Sequence, residues 1–296
     1  MAVNTRILKP EFEYFVPKSL QEALQLIVQY GPEAKVIAGG TDLLVQMKQE
    51  VISPKYLINI MKIPEMQFIK KEKDWLRIGA ATKWNEIVDF CAKNDKYTAL
   101  YEASHSLGKI QVRNMGTIGG NLCTASPAAD SAPAILALNG RVKLACLGRE
   151  RTLDLEDFFK GVNVTALAPN EIMTEIQIPS IQKGTGSAFL KITRVGADIS
   201  KISCAVAVER QGEICTSCQI VLGAVAPVPL KLKDANKTIG GKHVDSSLLD
   251  EVGRKVSEGI KPITDIRSTA DYRRQVAAVL FKDVFWMAWK RAGEGE

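Results

Sequence analysis

The sequence predicts an α+β protein of two domains, and three observations lead to this fold class. The chain has 296 residues, or about two domains at roughly 150 residues each. Strand and helix patterns alternate up to residue 178, and residues 179–186 (PSIQKGTG) then have the composition of a linker. Beyond this linker, three strand patterns follow one another, and helical patterns continue towards the C-terminus.

Residues 12–60 predict a compact βαβ unit. Ser19 and Glu22 have the spacing of a capping box, so a helix should begin at Leu20, and Gly31 with Pro32 should end it. Two strands, predicted at residues 35–38 and 55–60, and a second helix, predicted from about residues 41–42, complete the unit.

Residues 62–178 predict a second block. We expect a strand at residues 75–79, a helix at 84–92 capped by Thr82, and an apolar helix at 134–138. Further strands are predicted at residues 141–147 and 171–178.

The C-terminal block begins with three antiparallel strands. They are predicted at residues 187–193, 203–211 and 213–224, with a turn at Gln211 and Gly212. Helices should follow, one capped by Asp245 and the last by Ser268 or Thr269. We expect the last helix to carry four apolar residues on one side, namely Val276, Val279, Leu280 and Val284.

The composition excludes several classes of protein. Hydrophobic residues make up 46% of the chain and charged residues 24%, as in ordinary globular domains. The 39 basic and 33 acidic residues give a net charge of +6 without any basic run, which argues against a nucleic-acid partner. The sequence shows neither a membrane span nor the apolar core of a secretory signal, so we expect a cytoplasmic protein.

The six cysteines predict neither disulfides nor a metal site. The one CxxC pattern, at Cys215 and Cys218, has no second pair that would complete a zinc or iron–sulfur site. We interpret both as buried thiols of a strand, on opposite faces because three residues separate them.

Two glycine-rich segments, residues 38–42 (AGGTD) and 116–121 (GTIGGN), are the candidate binding elements. Glycine permits close approach of a ligand to the backbone, and successive N–H groups in such a bend suit phosphate oxygens. Together the segments could hold the two phosphates of a dinucleotide, although tight turns alone would also explain them. Neither the Rossmann fingerprint nor a P-loop is present, and no catalytic set is evident.

Six segments in this order resemble the FAD-binding medium subunits of molybdenum hydroxylases, the family of the carbon monoxide, xanthine and nicotinate dehydrogenases. They are FEYFVP from Phe12, AGGTDL from Ala38, TIGGNLCTASPAAD from Thr117, NEIMTEIQIP from Asn170, RVGADI from Arg194 and DYRR from Asp271. The resemblance covers essentially the whole chain. It implies a two-lobed FAD-binding domain of the vanillyl-alcohol-oxidase-like type at residues 1–178, with lobes at about 1–60 and 61–178. A C-terminal domain of the CO-dehydrogenase-flavoprotein type, with a small antiparallel sheet and helices, is implied at 187–296.

The resemblance also implies the cofactor contacts. Residues 36–43 and 117–121 would hold the FAD diphosphate, Asp130 would bind FAD through its carboxylate, and Leu107 would pack on the cofactor. Met173 and Lys191 would lie along the flavin, which the loop at residues 194–199 would approach. The implied contact residues are Val36, Ile37, Ala38, Gly39, Gly40, Thr41, Asp42, Leu43, Leu107, Thr117, Ile118, Gly119, Gly120, Asn121, Asp130, Met173 and Lys191. For Asp130, capping of a helix near Ser131 remains the alternative.

The implied function is that of the FAD-carrying electron-transfer subunit of a molybdenum hydroxylase. The partners would be a large molybdopterin-binding subunit and a small subunit with [2Fe-2S] clusters, and NAD(P)⁺ or another acceptor would receive the electrons. Some relatives carry an inserted cysteine-rich iron–sulfur site, which this sequence lacks, so FAD should be its sole redox group. A stand-alone flavin oxidase or dehydrogenase and a non-catalytic nucleotide-binding assembly subunit remain alternatives.

Overall fold

The computed structural model describes residue 8 and residues 11–294, and it contains three principal sheets with helices packed around them. The strands are β1 (Glu13–Phe15), β2 (Ala34–Ile37), β3 (Tyr56–Asn59), β4 (Ile69–Lys71), β5 (Trp75–Gly79), β6 (Arg141–Cys146), β7 (Arg149–Asp154), β8 (Phe159–Gly161), β9 (Val164–Thr165), β10 (Ile172–Pro179), β11 (Thr185–Ile192), β12 (Ile202–Gln211), β13 (Ile214–Gly223), β14 (Leu230–Lys231) and β15 (Lys242–His243). The helices are α1 (Leu20–Tyr30), α2 (Leu43–Lys48), α3 (Trp84–Ala92), α4 (Thr98–Ser106), α5 (Ile110–Arg113), α6 (Ile118–Thr124), α7 (Ser131–Ala137), α8 (Leu155–Phe158), α9 (Lys233–Ile239), α10 (Ser246–Glu258) and α11 (Ala270–Glu294). The predicted mixture of helix and sheet is confirmed.

The N-terminal lobe is a three-stranded parallel sheet in the order β1-β3-β2, with α1 packed against it. The Ser19 hydroxyl accepts the Glu22 N–H (3.2 Å), and Gly31 ends α1 with a φ of 54°. The cap predicted for this helix is therefore present. It provides an acceptor for one of the first-turn N–H groups, which have no partner within the helix. The second predicted helix is short and begins at Leu43.

The second lobe is built on a five-stranded antiparallel sheet in the order β4-β5-β10-β6-β7. Its apolar core includes Leu76, Trp84, Ile135 and Ile176, all buried. The predicted cap of α3 by Thr82 is wrong: that hydroxyl instead bridges the backbone carbonyl and N–H of Phe68 (3.0 and 3.2 Å). Helix α3 begins without a side-chain cap.

The C-terminal sheet, in the order β11-β12-β13-β14 with β15 paired to β13, is covered on both faces. Phe189, Ala205 and Val221 belong to the core of the preceding lobe, whereas Cys204 and Val206 belong to the core formed with α9, α10 and α11. This alternation follows from the two-residue period of a strand, and it explains why β12 is almost continuously apolar.

Two features of the predicted C-terminal region are corrected. Strands β10 and β11 extend into both ends of the predicted linker, so that only residues 180–184 lie between them. On α11, Leu280 and Val284 are buried as predicted, but Val279 is 60% exposed.

The prediction that Cys215 and Cys218 lie on opposite faces of a strand is also wrong. Ser217 pairs with Glu209 and Cys215 pairs with Arg210, so the ladder contains a bulge at Thr216. The extra residue reverses the alternation. Both thiols therefore enter the same buried core, where a hydrogen bond from Cys218 lowers the pKa of Cys215.

An ion pair joins the second lobe to the C-terminal helix. The Glu102 carboxylate on α4 accepts from the Arg291 guanidinium on α11 (2.6 and 3.2 Å) and from the Phe189 N–H on β11 (2.8 Å). Among the described residues, no helix is long and apolar enough to span a membrane.

Candidate functional site

A cavity of about 830 Å³ opens between the two N-terminal lobes, and this volume lies within the range typical of ligand sites. Three segments form its main walls: the first glycine loop (residues 38–43), the second glycine loop (residues 116–121) and a third wall (residues 165–173). The cavity therefore brings together both segments that the sequence marks as candidate binding elements.

The first glycine loop presents unpaired backbone donors. Within the described chain, the N–H groups from Gly39 to Leu43 have no hydrogen-bond partner. Gly40 has a φ of 71°, in the left-handed region that favours glycine. Successive free N–H groups around such a bend form a concavity suited to an anion, and every residue from Gly39 to Leu43 lines the cavity.

The two glycine loops touch each other at Gly39. A Cβ added there would lie 1.9 Å from the carbonyl oxygen of Met115 and 2.8 Å from the Cα of Gly116. Only glycine allows this approach, since no real Cβ contact is so short. The absence of a side chain at Gly39 thus allows the two loops to contact each other beside one cavity.

The second glycine loop is fixed by its own domain. The N–H groups of Ile118, Gly119 and Gly120 donate to Thr82, to Ala80 and to the Thr117 hydroxyl (3.1, 2.9 and 3.1 Å). A Cβ at Gly119 would lie 2.6 Å from the Ala80 Cβ, whereas one at Gly120 would meet nothing closer than the Thr117 hydroxyl at 2.9 Å. Gly119 is therefore required for packing within the lobe. Gly120 lines the cavity beside the Thr117 hydroxyl, where an added Cβ would also be too close.

The third wall is held by an ion pair that the sequence analysis did not identify. Glu171 accepts two hydrogen bonds from the Arg151 guanidinium (2.7 and 2.7 Å), which lowers the pKa of this carboxyl. Arg151 lies on β7, at the edge of the sheet, and Glu171 immediately precedes β10. Sequence spacing could not reveal the pair, because the sheet order creates it.

Arg113 is a further residue that the sequence patterns did not indicate. Its guanidinium donates to the carbonyls of His105, Leu107 and Gly108 (3.0, 3.3 and 3.0 Å), which closes the end of α4. This contact positions Leu107, which lines the cavity as the resemblance implies.

Asp130 and Lys191 form a buried ion pair with an Nζ–Oδ2 distance of 2.6 Å and side-chain exposures of 8% and 7%. Burial raises the pKa of Asp130 to about 6, although Lys191 opposes this shift. The second carboxylate oxygen, Oδ1, has no partner in the described chain, and Asp130 makes no capping hydrogen bond to α7. The capping alternative is thereby excluded, and one buried acceptor atom remains available.

Most residues predicted to contact the cofactor line the cavity. They are Val36, Ile37, Ala38, Gly39, Gly40, Thr41, Asp42, Leu43, Leu107, Thr117, Gly119, Gly120, Asn121 and Met173. Ile118 is instead fully buried in the core behind the second glycine loop. Asp130 and Lys191 lie outside the set of residues that line the cavity and contact each other.

The arrangement fits an elongated cofactor with a diphosphate, such as FAD. The first glycine loop supplies N–H donors, Gly120 permits close approach, and Leu107 and Met173 supply apolar contacts. A cofactor of this kind carries its own redox chemistry, and the protein supplies its binding and orientation.

Family models match both parts of the chain. Residues 10–181 match the FAD binding domain in molybdopterin dehydrogenase, and residues 187–288 match the CO dehydrogenase flavoprotein C-terminal domain.

Relatives match over nearly their full length. The carbon monoxide dehydrogenase medium chain of Hydrogenophaga pseudoflava is 33% identical over 96% of this chain and 99% of its own length. The nicotinate dehydrogenase FAD-subunit of Eubacterium barkeri is 32% identical over 93% of this chain and 95% of its own. A solved structure of the Hydrogenophaga pseudoflava carbon monoxide dehydrogenase superimposes with a TM-score of 0.93, again over 96% and 99% of the two chains. The chain therefore belongs to the family of FAD-binding subunits of molybdenum hydroxylases.

Proposed function

We propose that this chain is the electron-transfer subunit of its complex, which passes electrons from the iron–sulfur clusters of a small partner subunit to an external acceptor such as NAD(P)⁺. A large molybdopterin-binding subunit would oxidise the substrate. The single observation that carries this proposal is the convergence of the two glycine loops on one cavity, with Gly39 in contact with Met115. FAD, when bound, supplies the ability to accept electrons one at a time and to release them as a pair.

We assign FAD binding to the three walls of this cavity. The first glycine loop would donate hydrogen bonds to the diphosphate, and Thr117, Gly120 and Asn121 would contact it from the other side. The support is the set of unpartnered N–H groups from Gly39 to Leu43 and the position of Gly120 in the cavity wall. Leu107 and Met173 would pack on the rings.

Asp130 and Lys191 lie outside the cavity lining, so they would contact the part of FAD that extends beyond the cavity, at the boundary with the C-terminal domain. Lys191 lies on β11, and its Nζ donates to Asp130 Oδ2 and to the carbonyl of Asp198 (2.6 and 3.1 Å). It thus connects the loop at residues 194–199 to the FAD-binding domain. The unpartnered Asp130 Oδ1 would accept from a hydroxyl or ring N–H group of FAD.

The division of labour between the parts of the chain follows from this assignment. Residues 1–178 would bind FAD, and residues 187–296 would complete the site and support the complex. The Glu102–Arg291 ion pair would fix the position of the two parts relative to each other.

The test is to purify the chain with its co-expressed partners and to reduce the complex with substrate. Rapid mixing with NAD⁺, NADP⁺, a quinone or ferricyanide then identifies the acceptor that reoxidises the flavin absorbance. The proposal predicts stoichiometric FAD on this chain, and reoxidation by an acceptor only after reduction through the partners. Substrate oxidation by the chain alone would instead establish a stand-alone flavin enzyme, and a flavin-free chain would establish an assembly subunit.

A further inference from the structure

The irregular part of the third wall, residues 166–171, depends on two charged side chains. Leu167, Ala168 and Pro169 line the cavity from this segment, which has neither helical nor strand hydrogen bonding. An irregular segment of this kind keeps one conformation only if other groups satisfy its backbone.

Glu171 and Arg151 satisfy two of the segment's backbone groups, in addition to the bonds of the Ala166 N–H to Phe158 (2.8 Å) and of the Glu171 N–H to Ala168 (3.0 Å). The Glu171 carboxylate accepts the Ala168 N–H (2.8 Å) while it holds the Arg151 guanidinium. The same guanidinium donates to the Ala166 carbonyl oxygen (2.7 Å). The two side chains therefore fix residues 166–171 against β7, and the carboxylate is only 9% exposed.

We propose that Arg151 and Glu171 are positioning residues for FAD, which set the distance between the third wall and the two glycine loops. This inference rests on the proposed binding of FAD in this cavity. Neither residue needs to touch the cofactor, because both act through Leu167, Ala168 and Pro169.

The charges suit this position beside an anionic cofactor. Glu171 itself lines the cavity, where an isolated carboxylate would repel a diphosphate. The bidentate guanidinium compensates that charge, and bidentate pairs also fix orientation. An apolar pair could not hold the Ala166 carbonyl and the Ala168 N–H at the same time.

A second ion pair that also involves strand β7 provides the control. Arg141 on β6 donates to Asp154 on β7 (2.8 Å), and these side chains are 45% and 63% exposed. Neither residue lines the cavity. Asp154→Asn therefore makes the same carboxylate-to-amide change as Glu171→Gln without reaching the third wall.

The experiment measures FAD binding to the full-length, flavin-free chain by fluorescence titration, together with the visible circular dichroism of the bound flavin. Loss of one charge-assisted contact is worth about tenfold in affinity. We expect Glu171→Gln and Arg151→Lys each to raise the Kd for FAD about tenfold and to alter the dichroism. Both effects should be seen at temperatures well below the melting temperature of each variant. Asp154→Asn should change neither quantity.

Four other results have distinct meanings. Wild-type affinity and dichroism in both third-wall variants would overturn the inference, as would a lower melting temperature with unchanged FAD binding. Should Glu171→Gln fail to fold, Arg151→Lys decides, because it retains the charge on a side chain that is 34% exposed. A wild-type chain that binds no FAD would refute the proposed function itself.

Discussion

The two glycine loops look alike in sequence but differ in what their backbones are free to do. In the first loop, the N–H groups from Gly39 to Leu43 have no partner within the described chain. In the second loop, the N–H groups from Ile118 to Asn121 are all bonded within its own lobe. The first loop is therefore available to a ligand, whereas the second is a rigid wall formed before any ligand binds.

The glycines differ in the same way. Gly119 makes room for Ala80 in the core, whereas Gly39 makes room for Met115 of the other loop. The contact between Gly119 and Ala80 stabilises the packing of one lobe, whereas the contact between Gly39 and Met115 joins two lobes beside the cavity. Substitutions in the two loops should therefore separate effects on folding from effects on FAD binding.

The largest expected effect is the loss of folding stability in Gly119→Val. Its Cβ would lie 2.6 Å from the Ala80 Cβ and from the Ala80 carbonyl oxygen, and such overpacking costs about 3 kcal/mol. Chemical denaturation measures the free energy of unfolding. Gly161→Val is the control, because a Cβ there meets nothing closer than 3.8 Å. Equal stability of the two variants would contradict the packing role of Gly119.

The next effect is the loss of FAD affinity in Gly39→Ala. The added Cβ would force the first glycine loop away from Met115 and widen the cavity. We expect FAD affinity to fall about 100-fold, equivalent to about 2.7 kcal/mol, while the free energy of unfolding changes less than in Gly119→Val. Flavin-to-protein ratio and titration report the affinity. Gly161→Ala, whose Cβ would meet nothing closer than 3.8 Å and which lies outside the cavity lining, should retain flavin.

The paired threonines sharpen the comparison. Thr117 caps α6 by accepting the Gly120 N–H, so Thr117→Ala should lower the free energy of unfolding by about 1 kcal/mol. Helix α2, which follows Thr41, begins without a capping hydrogen bond from a side chain, so Thr41→Ala should leave stability unchanged. If the Thr41 hydroxyl contacts FAD, its loss weakens binding about threefold. Thermal melts and FAD titrations on both variants separate these outcomes.

The smallest effect concerns pH. Burial raises the pKa of Asp42, although a hydrogen bond with Thr124 opposes this shift. A nearby diphosphate would raise the pKa of Asp42 further, so FAD binding would take up a proton and strengthen as the pH falls. Titrations at falling pH should show this slope, and Asp42→Asn should reduce it; any remaining slope would come from Asp130, whose pKa burial raises to about 6. The same slope in the variant would assign it to another group.

Local signals predicted much of the fold. Ser19, Asp245 and Thr269 cap helices as predicted, since a cap needs only residues close in sequence. The bulge at Thr216 was not predictable, because alternation shows no register shift. Thr82 failed as a cap because Phe68, which is not its sequence neighbour, engages its hydroxyl.

The candidate site was likewise predictable only in part. Glycine and threonine patterns indicated both loops, and their convergence required the fold. The Arg151–Glu171 pair was missed because β7 and β10 are not neighbours in their sheet. The family resemblance implied Asp130 and Lys191 as separate cofactor contacts, but it did not indicate that they form an ion pair, since they lie 61 positions apart.

Hydrogen–deuterium exchange on the full-length chain, with and without FAD, tests the difference between the loops most directly. The account predicts that the N–H groups from Gly39 to Leu43 exchange quickly in the flavin-free chain and become protected when FAD binds. Those from Ile118 to Asn121 should be protected in both states. Unchanged exchange in the first glycine loop on FAD binding would contradict its role as the donor to the diphosphate.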